Sequence, residues 1–187
     1  MAKDKKKRRG SRAYLNDFER DLTGRYHYRG KLYHYRGTLP RQRALAMLWG
    51  CGGASLVVLL AAGCLDGPGL GRCFYVLLPY VAAFVAGVTV CWALGRITAG
   101  GDPLREYVYE SAAAKLFGRS RVAALLSGIT ALMCLLHMVL NGVIWQRIVF
   151  LLLSVAATGG QVMLGRICAG VHWQCGSDGQ VSSDKEQ

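Results

Sequence analysis

The stretch that decides the fold is Ala44–Leu65, "ALAMLWGCGGASLVVLLAAGCL", which runs for 22 residues without a charged side chain. A bilayer hydrocarbon core of roughly 30 Å requires about 20 residues of helix. Buried helices of soluble proteins normally keep a polar stripe, and this stretch has none. It therefore predicts a transmembrane helix.

Three further apolar runs follow the first. Residues 73–94, 122–140 and 148–165 provide 22, 19 and 18 residues, which is long enough, or nearly so, to cross a bilayer. The predicted fold class is an all-α integral membrane protein with four transmembrane helices. They form two hairpins in a membrane domain over residues 44–170, between a basic tail (1–43) and a flexible C-terminal tail (171–187).

The distribution of positive charge predicts the topology. The chain has 23 Lys and Arg against 11 Asp and Glu, and 14 of the basic residues lie in the N-terminal tail. If both termini are cytoplasmic, 21 basic residues lie inside and only Arg72 and Arg147 lie outside. The positive-inside rule then predicts a multi-pass protein of the cell membrane with both termini in the cytoplasm. An apolar segment that begins near residue 44 behind a polar tail is typical of a signal anchor.

The loop between the second and third runs has the pattern of a short helix. Asp102 can cap a helix over residues 103–117, and Gly118 can end it. This helix would lie along the cytoplasmic interface or connect the two hairpins as a solvated spacer.

The word YHYRG occurs twice in "YHYRGKLYHYRG", residues 26–37. A two-residue turn at Gly30-Lys31 predicts a β-hairpin over residues 25–37. Tyr28 would pair with Tyr33 and Tyr26 with Tyr35, which places all four tyrosines on one face. The predicted lipid- or partner-binding residues are Tyr26, Tyr28, Arg29, Tyr33, Tyr35 and Arg36. A flexible linker whose repeat arose by slippage is the alternative.

A second repeat ends the second and fourth runs. "LGRITAG" (94–100) and "LGRICAG" (164–170) match at six of seven positions. The match indicates either a parallel duplication of the hairpins or a shared stop signal, with Arg favourable at a helix C-terminus.

Few residues in the spans carry chemistry. The spans contain no Asp or Glu, which argues against proton- or cation-coupled transport. The candidate intramembrane polar residues are His137, Gln161 and Thr89. Cys64 and Cys73 bracket the first outer turn and are candidates for a disulfide. Cys168, His172 and Cys175 do not have the usual zinc spacing, so we predict neither a metal nor a cofactor.

These features favour a non-enzymatic accessory or scaffold subunit. Its basic face would bind anionic lipid headgroups or a protein partner, and the chain would form a homo-oligomer or join a larger membrane complex. The location beside a membrane disfavours nucleic acid. The alternative is a small transporter or channel subunit built from duplicated hairpins. An intramembrane enzyme acting on lipid stays open because of His137 and the inner-face arginines. A polar mid-membrane cavity lined by Thr89, Thr130 or Gln161 would favour transport, and a dry bundle would favour the scaffold.

Overall fold

Four long helices dominate the structure. It is a computed structural model, and it describes residues 18–20, 26–28, 31–65 and 73–176. The helices are α1 (Arg41–Gly63), α2 (Phe74–Ala99), α3 (Glu106–Val108), α4 (Ala114–Asn141) and α5 (Trp145–Ala169). A π-helical segment (Tyr109–Ala113) joins α3 to α4 in one continuous helix. Four helices are long and apolar enough to cross a membrane, so the four predicted long apolar helices are confirmed. The first outer turn (66–72), most of the N-terminal tail and residues 177–187 lie outside the described residues.

The four long helices form a closed ring. Helix α1 packs against α2 and α5, and α4 packs against the same two helices. The ring order is therefore α1–α2–α4–α5. We call the end where α1 begins and α5 ends the sheet end, and the opposite end the turn end.

Small residues allow α1 and α5 to approach closely. A Cβ on Gly52 would lie 3.0 Å from Cδ1 of both Leu94 and Leu164, and a Cβ on Gly160 would overlap Oγ of Ser55. In membranes, where lipid is as apolar as leucine, this close backbone packing is a main source of helix association.

The polar groups inside the bundle are mostly hydroxyls that bond to their own helix. The buried hydroxyls belong to Ser55, Ser120, Ser127, Thr130 and Ser154. Each donates to a carbonyl three or four residues earlier at 2.6–2.9 Å. These groups are satisfied locally and require neither water nor ligand.

A small sheet covers the sheet end of the bundle. Its central strand β3 (Leu32–Tyr35) lies between β4 (Leu104–Arg105) and β5 (Trp173–Gly176). A separate two-stranded sheet pairs β1 (Phe18–Arg20) with β2 (Tyr26–Tyr28). Both neighbours of β3 are antiparallel to it. Backbone bonds from Arg36 N to His172 O (2.9 Å) and from Glu106 N to Lys31 O (3.1 Å) extend these contacts.

The predicted hairpin pairing over residues 25–37 is wrong. Tyr28 lies opposite Phe18 rather than Tyr33, and Tyr35 lies opposite Trp173 rather than Tyr26. An isolated two-stranded hairpin is marginal, whereas β3 gains ladder partners on both of its edges. The two copies of the repeated word therefore lie in separate sheets.

Three boundaries also differ from the prediction. Residues 104–105 are extended in β4, so the helix begins at Glu106 rather than 103. The helix also passes through Gly118 without ending, because buried Ala112 and Leu116 pack it onto the core on the preceding turns. Finally, residues 173–176 of the predicted flexible tail form β5, since the free edge of β3 pairs with them.

Arg147 caps α4 at the turn end. Its side chain is 6% exposed, and Nη1 donates to the carbonyls of Asn141 (2.9 Å) and Gly142 (2.7 Å). The helix stops here because Gly142 has φ +82°, a conformation that favours glycine. A guanidinium at this position satisfies terminal carbonyls and complements the helix dipole.

We expect Gly160→Leu to destabilise the protein, because the side chain would force α1 away from α5. Overpacking of this kind lowers the free energy of unfolding by about 1–3 kcal/mol. Thermal unfolding of the purified protein in mild detergent measures the effect. Gly159→Leu is the matched control, because nothing lies within 4 Å of the position of its Cβ. Equal unfolding midpoints for the two variants would contradict the close α1–α5 packing.

Arg147→Met should also lower the unfolding midpoint, because two carbonyls at the end of α4 would lose a charged donor. The expected loss is about 1.5–3 kcal/mol for hydrogen bonds to a charged group. Arg147→Lys should fall between the wild type and Arg147→Met, since an ammonium lacks the planar fork of arginine. Gln146→Met controls for the added methionine. A wild-type midpoint for Arg147→Met would rule out the capping role.

Candidate functional site

Charge is concentrated at the sheet end. Within residues 31–65 and 73–176, every charged residue except Arg147 lies there, and these comprise ten basic and three acidic side chains. The basic residues are Lys31, Arg36, Arg41, Arg43, Arg96, Arg105, Lys115, Arg119, Arg121 and Arg166, and the acidic residues are Asp102, Glu106 and Glu110. The excess creates a positive surface that suits anionic groups.

The two tyrosines of β3 make contacts within the protein. The ring of Tyr33 stacks on Tyr109 with centroids 4.0 Å apart and planes at 10°, and Tyr35 meets the edge of Trp173 at 5.5 Å. Burial raises the pKa of both phenols above the ordinary value, and the nearby Cys175 thiol and Glu106 carboxylate raise that of Tyr33 further. The Tyr33–Tyr109 pair joins the sheet to a helix end, and the Tyr35–Trp173 pair joins β3 to β5.

The other predicted binding residues are only partly described. Arg36 is exposed, and its backbone N–H is bonded to His172. The backbones of Tyr26 and Tyr28 lie in β2, their side chains lie outside the described part of the chain, and so does Arg29. Among the six predicted lipid- or partner-binding residues, Arg36 is therefore the one whose side chain the structure describes as exposed.

A cavity of 290 Å³ lies beneath the sheet, among the ends of the helices. Its walls include Tyr35, Tyr109, His172 and Trp173. Arg41 also lines it and donates from Nη2 to Gly101 O at 2.8 Å, while its Nε has no hydrogen-bond partner among the described residues. This volume lies at the lower limit for small-molecule pockets, about 300 Å³.

Arginines and aromatic rings form a layer around the sheet end. The guanidinium of Arg96 lies 5.0 Å from the ring centroid of Trp92 and 4.8 Å from that of Tyr107. Arg121 lies 4.2 Å from the ring centroid of Phe117. Cations stacked on aromatic rings are typical of the headgroup region of a bilayer, where both partners have a wet side and an apolar side.

The candidate intramembrane polar residues do not come together. Thr89 is exposed on the outer face of α2 and donates to Ala86 O at 2.8 Å. Thr130 is fully buried and donates to Leu126 O at 2.9 Å. Because Thr89 faces outward, these side chains do not line one interior site with Gln161.

Gln161 is the unusual member of this set. It is 1% exposed, and neither its amide nitrogen nor its amide oxygen has a hydrogen-bond partner among the described residues. Leaving a buried polar group unpaired costs about 1–3 kcal/mol. A buried amide in this state is suited to a ligand that supplies both a donor and an acceptor.

Gln161 lines one end of a groove between α4 and α5, which we call the α4–α5 groove. The part nearest the sheet end has a volume of 630 Å³ and is lined by Gln161, Ser120, Arg121 and Arg166 among others. The part toward the turn end has a volume of 1080 Å³ and apolar walls that include Leu132, Leu135, Leu152 and Val155. Val162 and Arg166 line both parts, so the groove is continuous.

His137 belongs to a buried polar cluster at the turn end. It is 2% exposed, and its Nδ1 lies 2.5 Å from the hydroxyl of Tyr75 and 3.2 Å from Nδ2 of Asn141. Neither partner was predicted from the sequence. Asn141 could have been found, since it lies four residues after His137 on the same helix face, whereas Tyr75 contacts His137 only because α2 packs on α4.

The last candidates from the sequence are the Cys64–Cys73 pair and the possible metal ligands. Cys64 and Cys73 carry free thiols in this structure, and a disulfide between these two candidates stays a prediction. In the part of the chain that the structure describes, no three His, Cys, Asp or Glu side chains are grouped so that they could hold a metal ion.

Comparisons with known proteins give no relative for this chain, since no protein-family model, no curated protein and no solved structure matches it. The function is therefore inferred from the contacts, charges and cavities of the chain itself.

Proposed function

We propose that this protein is a non-enzymatic accessory or scaffold protein of the cell membrane whose sheet end binds anionic lipid headgroups. The observation that carries the proposal is the excess of ten basic over three acidic side chains at that end, within residues 31–65 and 73–176. Clusters of Lys and Arg just inside a membrane attract anionic lipids with about 1 kcal/mol for each residue. The arginine–aromatic pairs around Trp92 add groups suited to the same depth.

The proposed orientation places the sheet end in the cytoplasm. With both termini inside, the basic residues divide 21 to 2 across the membrane. The sheet end holds the start of α1 and the end of α5, so the same surface that faces anionic headgroups would also be the surface open to cytoplasmic partners. Tyr26, Tyr28 and Arg29 stay predicted lipid- or partner-binding residues of the N-terminal tail.

A transporter or channel subunit built from duplicated hairpins is the second candidate. Its support is the pair of LGR words, which place Arg96 and Arg166 in the last turns of α2 and α5. Leu94 and Leu164 of the same words both approach Gly52. Against it, the interior hydroxyls bond to their own helices, and Thr89 faces outward. A scaffold therefore fits these contacts better.

The topology can be tested with single cysteines in a variant that lacks the seven native ones. We expect Glu110→Cys to be protected from a membrane-impermeant maleimide in intact cells, because residue 110 would lie inside. Val143→Cys, at the exposed turn between α4 and α5, should react. External labelling of Glu110→Cys would overturn the orientation.

Anionic lipid should stabilise the protein through the exposed basic residues of the sheet end. We expect phosphatidylglycerol to raise the thermal midpoint in mild detergent more than phosphatidylcholine does. The triple variant Lys31→Gln, Arg36→Gln, Arg43→Gln should lose roughly a third of that difference, in proportion to three of the ten basic side chains. Salt at 0.5 M should weaken the difference in the wild type, because it shortens the Debye length below about 10 Å and so screens exposed charges.

The matched control keeps the charge at the same three positions, with Lys31→Arg, Arg36→Lys and Arg43→Lys. This variant should respond to phosphatidylglycerol like the wild type. A full response in the glutamine variant would contradict the proposed lipid-binding surface.

A further inference from the structure

We infer that the α4–α5 groove is a binding site for one anionic phospholipid, with the phosphate held by Arg121 and Arg166, the glycerol ester region beside Gln161, and an acyl chain along the apolar part. The inference rests on the proposed function in that both assign anionic lipid to the sheet end. It differs in naming a discrete site, formed by Arg121 and Arg166 of the ten basic residues together with Gln161.

The mouth of the groove has the chemistry of a phosphate site. Arg121 and Arg166 are exposed, lie on facing helices and line the same part of the groove. Arg121 also lies against Phe117 at 4.2 Å, which holds its guanidinium at the rim. Basic pockets between transmembrane helices on the cytoplasmic side are suited to anionic headgroups.

Gln161 lies at the depth where an ester is expected. It precedes Arg166 by five residues on α5, which corresponds to about 7.5 Å along the helix axis. The glycerol esters of a phospholipid lie just below the phosphate, on the hydrocarbon side. The amide N–H groups of Gln161 can donate to an ester carbonyl, and its oxygen can accept from a glycerol hydroxyl. A phospholipid would thus satisfy the two buried atoms that have no partner among the described residues.

The apolar part of the groove has the length of an acyl chain. It extends along α5 from Arg166 to Leu152, which is about 21 Å at 1.5 Å per residue. Half of the hydrocarbon core is about 15 Å, so the groove is long enough for a chain from one leaflet. Its walls include Leu132 and Leu152, which are 63% and 60% exposed and would otherwise face general lipid.

A second copy of this chain suits the groove less well. The predicted spans of the chain contain no Asp or Glu, so a second copy packed along the groove would bring no acidic side chain from its membrane-spanning part to Arg121 and Arg166. A phospholipid supplies the missing negative charge, the ester acceptor and the apolar chain in one molecule.

The test uses phosphatidylglycerol with a photoreactive diazirine in its acyl chain, added to the full-length protein in vesicles of phosphatidylcholine. Mass spectrometry should place the crosslinks mainly on the groove faces of α4 and α5. Arg121→Gln or Arg166→Gln should lower this labelling about fivefold, the effect of one basic residue near an anionic headgroup. The same diazirine on phosphatidylcholine should label α4 and α5 no more than α1 and α2.

Gln161→Leu separates binding from folding. It should lower the labelling while leaving the thermal midpoint in lipid-free detergent unchanged or raised, because it removes a buried amide without a partner. If Gln161 were needed only for packing, its replacement would lower the thermal midpoint and leave the labelling unchanged. Gln146→Leu is the matched control, since Gln146 lies on the same helix but does not line the groove, and it should leave the labelling unchanged.

Three outcomes would overturn the site. The first is equal labelling of all four long helices, and the second is labelling that the arginine and glutamine variants do not change. The third is a dimeric mass together with unlabelled α4 and α5. That result would assign the groove to a second copy of the chain. The sheet-end surface is tested separately by the Lys31, Arg36 and Arg43 variant. That surface can fail while the groove still binds, and the reverse also holds.

Discussion

Hydrogen bonding on both edges of β3 is the constraint on which the sheet end depends. Residues 32–35 pair with 104–105 on one side and with 173–176 on the other, so one strand joins three segments that are far apart in the chain. The stacked rings of Tyr33 and Tyr109 attach this sheet to the helix that leads into α4. The bundle therefore carries a folded cap, and the basic side chains of the cap and the helix ends occupy one surface.

Polar chemistry is restricted to a few places because most buried polar groups of the described bundle are satisfied within it, and the exceptions include His137 Nε2 and both amide atoms of Gln161. Small residues such as Gly52 and Gly160 let the helices approach, and the buried hydroxyls bond within their own helices. The arginine at the turn end is held by the carbonyls that end α4. Gln161 departs from this pattern, and it lies where the α4–α5 groove meets the basic end. This departure is the physical basis for assigning a ligand to the groove.

The candidate site could be predicted from the sequence only in part. The clustering of Lys and Arg is visible in the sequence, and so is Gln161 as a polar residue within an apolar run. The groove itself could not be found, because it requires Arg121 on α4 and Arg166 on α5 to face the same gap. The same holds for the partners of His137. Asn141 could be predicted because it lies on the same helix, whereas Tyr75 could not, because it comes from another helix.

The sequence by itself determined the four long helices, because runs of about 20 apolar residues can satisfy their backbones in a bilayer only as helices. It also determined which end carries the charge. Only the tertiary structure decided how the repeated YHYRG words are used, since strand partners can come from distant segments and local turn chemistry favoured the wrong pairing. The continuation of the loop helix through Gly118 was likewise decided by packing, because Ala112 and Leu116 are buried against the other helices.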